Sequence, residues 1–135
     1  MNVMVKSSIL IFTLTVSLLA VDGKTLFQQK CSSCHMTTKP TPQQRSQMVA
    51  PPIMGVMFHI KQKFRNKADA IDFIVDYTLN PSKDKAICHS VKRFGLMPSQ
   101  KNMVTIDELK AIASYIYDTF PPANFKHPKG MDMIK

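Results

Sequence analysis

Cysteine is scarce, with three residues in 135. That is too few for a disulfide scaffold, and two of the three sit in one short motif, so cysteine here marks a site rather than a framework. Long apolar runs are also missing. The longest, from Ile9 to Leu19, is interrupted by Thr13, Thr15 and Ser17 and falls short of the roughly 20 residues a membrane-spanning helix needs. Acidic residues are few, 9 against 18 Lys plus Arg, for a formal charge of +9. No internal repeat is visible and no segment alternates convincingly as a strand would. What remains suits a single domain, with 44% hydrophobic residues to build one compact core.

The apolar run follows one basic residue, Lys6, so residues 1–20 read as a secretory signal peptide cut after Ala20, with Gly23 the alternative cleavage point and an uncleaved anchor the alternative role. Removing those residues takes away Lys6 alone and leaves 17 basic against 9 acidic residues, a formal +8. Such a charge steers association with acidic protein surfaces or anionic lipid. Nucleic acid is set aside as a partner because export removes the chain from it, and no stable membrane insertion is expected once the signal is cleaved. The location this implies is the periplasm.

The mature chain divides into a domain at 21–120 and a tail at 121–135 that carries proline and lysine and is expected to be mobile. A first helix is expected over Asp22–Ser33, with Asp22 as N-cap and Gly23, Phe27 and Cys31 on one face. Residues 36–52, with Pro40, Pro42, Pro51 and Pro52, read as an irregular loop. A second helix is expected from about Gly55 to Phe64. A third is capped by Asn66, presents Ile71, Ile74, Val75 and Leu79 to the core, and stops at Asn80-Pro81. A short helical turn around Lys85–His89 precedes the loop Phe94-Gly95-Leu96-Met97-Pro98. Thr105 and Glu108 form a capping box for the last helix, whose stripe is Leu109, Ile112, Ala113 and Ile116. The expected architecture is small and all-α, wrapped around a group that supplies much of the core.

Cys31-Ser32-Ser33-Cys34-His35 identifies that group, because C-x-x-C-H is the signature of covalent haem attachment. Two cysteines three apart on a helical turn can each form a thioether to a vinyl group of one porphyrin, and the adjacent histidine then reaches the iron as proximal ligand. A thioredoxin-type dithiol would need a β-α-β setting that the sequence lacks. A zinc site would need two more ligands, for which only Cys88-His89 could serve.

With these residues in view the chain resembles the small class I cytochromes c over most of its mature length. Gly23 and Phe27 lie eight and four residues before Cys31, as do that family's helix-packing glycine and aromatic. Pro51-Pro52-Ile53-Met54-Gly55 is similar to its proline loop. Phe94 to Pro98 is similar to the loop that delivers a methionine ligand, and Ile112 with Tyr115 resembles the pair that packs the last helix on the first. The chain departs from the pattern at Ala50, where glycine is frequent, at the extra Cys88, and over 56–90, which matches no family motif.

The resemblance implies a small helical fold around one covalent haem c, bound by Cys31 and Cys34, with iron held by His35 and Met97. Met97 lies in a loop before a helix rather than on a helical stripe, and its thioether is a soft donor that stabilises ferrous iron. The chain has ten methionines, and Met36, Met54 and Met57 are read as packing. His59 and His89 are the rival sixth ligands, and His127 carries no assigned role. Pro51, favoured over Pro52 by its spacing to Gly55, offers a carbonyl to the distal ring nitrogen of His35. Cys88 reads as a buried free thiol or a surface residue, with an intermolecular disulfide the sharper alternative. The lysines at 61, 63, 67, 83 and 85 read as solvated faces.

The function expected is electron carriage, not enzymatic turnover, between a donor and an acceptor with acidic docking surfaces. The alternatives are a haem subunit of a larger periplasmic oxidoreductase, for instance one acting on sulfur compounds, and a ligand-binding or peroxidatic haem protein with an open sixth site.

Overall fold

The computed structural model describes residues 22–128, and the signal-peptide expectation falls outside them. Six helices follow in order: α1 Gly23–Lys30, α2 Pro42–Gln47, α3 Ile53–Lys63, α4 Lys67–Leu79, α5 Val91–Phe94 and α6 Ile106–Thr119. The all-α expectation agrees with this architecture. Helix α6 is its centre, packed along α1 and α4 and more narrowly against α3.

Helices α1, α4 and α6 begin where the sequence supplies a side-chain cap, whereas α3 follows Pro52 without one. The Asp22 carboxylate accepts from the Thr25 amide at 3.0 Å, and the Asn66 side chain accepts from the Asp69 amide at 2.8 Å. Thr105 and Glu108 cap α6 reciprocally. The Thr25 and Thr105 backbone amides hold the Asp22 and Glu108 carboxyls below the usual carboxylate range. Their contribution is therefore present at neutral pH and lost as pH falls through the lowered folded values. Helix α4 stops at Asn80 because Pro81 disfavours helical backbone in the residue before it.

The stripe of Leu109, Ile112, Ala113 and Ile116 on α6 is buried throughout. Leu26 and Phe27 of α1, Ile53, Met57 and Ile60 of α3, Ala70 and Ile74 of α4, and Phe120 form one contiguous core with Ile112, Ala113 and Ile116. Each fully buried Leu, Ile or Phe contributes about 1.5–3 kcal/mol, so this contiguous cluster is the main source of stability. Phe27 lies with its ring centroid 6.0 Å from Tyr115 and 6.4 Å from Phe120, which fixes the crossing of α1 and α6.

Several boundaries differ from the sequence reading. Helix α1 ends at Lys30, not Ser33, and residues 31–35 coil into tighter turns. Helix α2 lies inside the stretch read as irregular. Its start is a capping box, Thr41 with Gln44, and Pro42 occupies the first turn. It buries no residue, so no apolar period announced it. Helix α3 starts two residues early, directly after the proline pair. On α4 the buried line is Ala70, Ile74 and Thr78, while Val75 and Leu79 stay half-exposed. The small Ala70 lets α4 lie close, and this rotates the face away from the larger side chains. The turn placed at Lys85–His89 is realised later, as α5. Residues 121–128 are packed rather than free: Phe125 and His127 lie 5.8 and 4.6 Å from the Phe58 ring. Aromatic anchors without periodicity account for the difference.

Gly23 is where α1 and α6 meet most closely. A methyl group on it would overlap the Ala111 carbonyl and come within 2.9 Å of the Tyr115 Cβ. Replacing Gly23 with alanine should cost about 1–3 kcal/mol of stability, the usual range for overpacking a well-filled contact. Denaturant unfolding of the haem-loaded protein measures it, and an unchanged midpoint would contradict the close approach.

Candidate functional site

The site is built at the end of α1. The Phe27 carbonyl accepts from the amides of both Cys31 and Ser32, at 2.9 and 3.0 Å, and the Cys31 carbonyl then accepts from Cys34 and His35, at 3.2 and 3.0 Å. Five residues are thereby wound into two tight turns. Cys34 is exposed and Cys31 half-buried. Burial, and next the neighbouring Cys34, push the Cys31 thiol up, while Lys30 opposes them.

His35 is oriented from outside the motif. Its Nδ1 lies 2.8 Å from the Pro51 carbonyl oxygen, which can only accept, so Nδ1 carries the proton and donates. The other nitrogen, Nε2, keeps its lone pair. Burial lowers the imidazole's pKa, against the raising effect of the Pro51 hydrogen bond, and the ring is neutral at neutral pH. A neutral imidazole with a fixed tautomer is the form that ligates a metal. Between Pro51 and Pro52, the geometry selects Pro51. A second tie holds the same two segments together: the Ile53 amide, first in α3, donates to the Met36 carbonyl at 2.9 Å.

Met97 lies on the loop between α5 and α6 and is half-buried. Gly95 turns the chain into this loop with a φ of +75°, a conformation that side-chain-bearing residues adopt at a cost. Beyond Met97, the Ser99 hydroxyl donates to the Leu79 carbonyl at 2.6 Å, and the Gln100 amide donates to the Thr78 carbonyl at 3.0 Å. The loop is thus fastened to the end of α4. The neutral His35, the paired thiols and a thioether on a pinned loop fit a haem, with a nitrogen and a soft sulfur as iron donors.

The other candidate ligands lie on α3 and just before α5. His59 is buried and forms part of an aromatic cluster, its ring 5.6 Å from Phe58 and 4.6 Å from His127. Met57 is wholly buried in the core and Met54 packs against it. His89 is half-buried beside α5, where its carbonyl accepts from the Lys92 amide at 3.0 Å. Among the described residues no cluster of three His, Cys, Asp or Glu could hold a metal ion, so Cys31, Cys34, Cys88 and His89 do not come together as a zinc site.

Three of the five lysines read as solvated faces are engaged within the fold. Lys67 pairs with Asp118 at 2.6 Å and Lys85 with Asp76 at 2.7 Å. Lys61 sits 4.8 Å from the centre of the Tyr117 ring. Charge patterning along the sequence could not show these partners, because two of the three lie on α6.

The cytochrome c family model matches residues 20–119, and the chain belongs to that family. Membership brings a covalent haem c, for which the Cys31 and Cys34 pair has the required spacing, and a role in haem-based electron transfer. A protein of Aquifex aeolicus (strain VF5), known as an uncharacterized protein, is 28% identical over 127 residues, covering 79% of this chain and 83% of that one. No solved structure gives a significant match. No helix among the described residues is long and apolar enough to cross a membrane.

Cys88, the cysteine outside the motif, is half-buried, and burial pushes its thiol up to about 11. At pH 8 only about one molecule in a thousand then carries the reactive thiolate. Iodoacetamide should label Cys88 at least about a hundredfold more slowly in the native haem-loaded protein than in guanidinium, where the thiol regains its ordinary acidity. Mass spectrometry of the alkylated peptide reads the rate, and equal rates would make Cys88 a surface thiol.

Proposed function

We propose that this chain is an exported, mono-haem electron carrier whose haem is held by Cys31 and Cys34 and whose iron is ligated by His35 and Met97. The observation that carries the reading is the 2.8 Å hydrogen bond between His35 Nδ1 and the Pro51 carbonyl, which turns a sequence motif into an oriented ligand. When bound, the haem supplies a one-electron ferric/ferrous couple.

The protein's own groups set the terms of that couple. The Pro51 carbonyl fixes the imidazole plane and strengthens Nε2 as a donor. Met97, on a loop tied at both Ser99 and Gln100, supplies a sulfur that favours the ferrous state. The turns over 31–35 keep the thioether positions and His35 in one rigid unit with α1. Two protein donors held on separate, fastened segments keep the coordination the same in both oxidation states, so little reorganisation accompanies transfer. Export to the periplasm is supported by the pattern of residues 1–20. An acidic redox partner is supported by the charge of the mature chain.

Three measurements test the reading. Acid-acetone treatment of the protein matured with haem should leave the colour on the polypeptide, and extraction of the colour would refute attachment at Cys31 and Cys34. Met97→Ala should abolish the weak sulfur-to-iron band at the red end of the oxidised spectrum, lower the reduction potential and admit carbon monoxide, whereas Met54→Ala should leave all three unchanged. A wild-type protein that already binds carbon monoxide tightly would favour the open-site haem reading. Electron transfer to an acidic partner should slow as salt rises toward and beyond about 0.1 M, where the screening length is near 10 Å. A flat dependence would favour a permanently docked subunit.

A further inference from the structure

Cationic side chains that form no ion pair among the described residues surround a cavity of about 650 Å³ between the loop carrying α2, the start of α3 and residues 122–128. Four cationic side chains line it, Lys39, Arg45, Arg93 and Lys126, and no carboxylate among the described residues does. None of Cys31, Cys34, His35 and Met97 is among its walls. Its apolar surface includes Met54, Pro52 and Phe125.

Two features make this a built cavity rather than a chance depression. The Arg93 guanidinium donates to the Arg45 carbonyl, which joins α5 to the end of α2 and sets two cations on one rim. The opposite wall is residues 122–128, folded back and anchored through Phe125 and His127 on Phe58. The stretch of sequence with least apolar periodicity thus completes the enclosure.

We infer that this cavity binds a small organic anion that joins one carboxylate to an apolar body, and that its occupancy is felt at the iron. The volume lies within the 300–1,000 Å³ of small-molecule sites, and the four cations with no opposing carboxylate select a negative charge. A soft metal ion is the rival, since Met48, Met54 and His127 also border the space. Four surrounding cations oppose a metal cation, and thioethers have no charge with which to compensate. The link to iron runs through the chain itself. Pro52 borders the cavity, and the adjacent Pro51 carbonyl orients His35. A negative charge there favours ferric over ferrous iron and lowers the potential. This second part rests on the proposed His35 ligation, while the binding itself goes beyond it.

Titrating the haem-loaded protein with decanoate, followed by amide NMR, tests both parts separately. Decanoate should saturably shift amides in 39–48 and 122–128, with decanol and inorganic phosphate each at least about tenfold weaker, because each supplies only half of the recognition. The double variant Lys39→Gln/Lys126→Gln, which alters two exposed side chains and no core contact, should weaken decanoate about tenfold or more with an unchanged visible spectrum. The reduction potential of the wild type should fall as decanoate binds, and that of the variant should fall only at about tenfold higher decanoate or more. Equal binding of decanol or phosphate, or an unaffected variant, overturns the site. Failure of the haem-loaded protein to bind decanoate also overturns it and leaves the cations to the haem's own carboxylates. Binding with no change of potential overturns the link to iron, and a red-end sulfur band that persists throughout shows that the ligation reading has not failed with it.

Discussion

Helices α1 and α6 approach so closely that Gly23 has the Ala111 backbone where a side chain would stand. That contact brings the two ends of the domain together, and the rest depends on it. Helix α1 carries the cysteine turn at its end, so the place where α1 sits on α6 is also the place from which His35 projects. Phe27, buried to 1% exposure, contributes twice, through its ring against Tyr115 and through its carbonyl, which receives the Cys31 and Ser32 amides. Packing and site geometry are therefore the same residues seen from two sides. A change that loosened the helix crossing would displace the cysteines relative to everything α6 holds.

The second requirement is that the segments bearing His35 and Met97 each be held in place. The proximal side is closed by two hydrogen bonds, His35 to Pro51 and Ile53 to Met36, and the Met97 side by two more, to Leu79 and Thr78. All four acceptors are backbone carbonyls. Such bonds hold position without adding charge, which suits a site whose task is to change charge by one electron. The neutral state of His35, maintained by burial, belongs to the same design.

Much of this was legible in the sequence where local chemistry decides the outcome. The Thr105 and Glu108 box, the Asn66 cap and the Asn80-Pro81 stop each act within four residues, and each helix end falls where they place it. The cysteine motif is equally local. Helix α2 was missed because it is polar on every side, so hydrophobic period was silent and only Thr41, Pro42 and Gln44 spoke for it. The α4 face was misjudged because Ala70 counts little in a hydrophobic pattern, yet its small size decides how near α4 lies. The position of 121–128 depends on Phe58, more than sixty residues away, and no local signal reports such a contact. The preference for Pro51 over Pro52 rested on spacing, and the hydrogen bond to His35 gives it a physical cause.

The loop bearing Met97 is hydrogen-bonded to α4 at the carbonyls of Thr78 and Leu79. A carbonyl is common to every residue type, so the attachment asks for the path of the chain at the end of α4 and not for particular side chains there. The end of α4 can therefore support the loop whatever side chains it carries. The outward side chains of α4 are in that sense free to diverge. A lineage could rewrite them to suit a new partner, and the Met97 loop would register none of the changes.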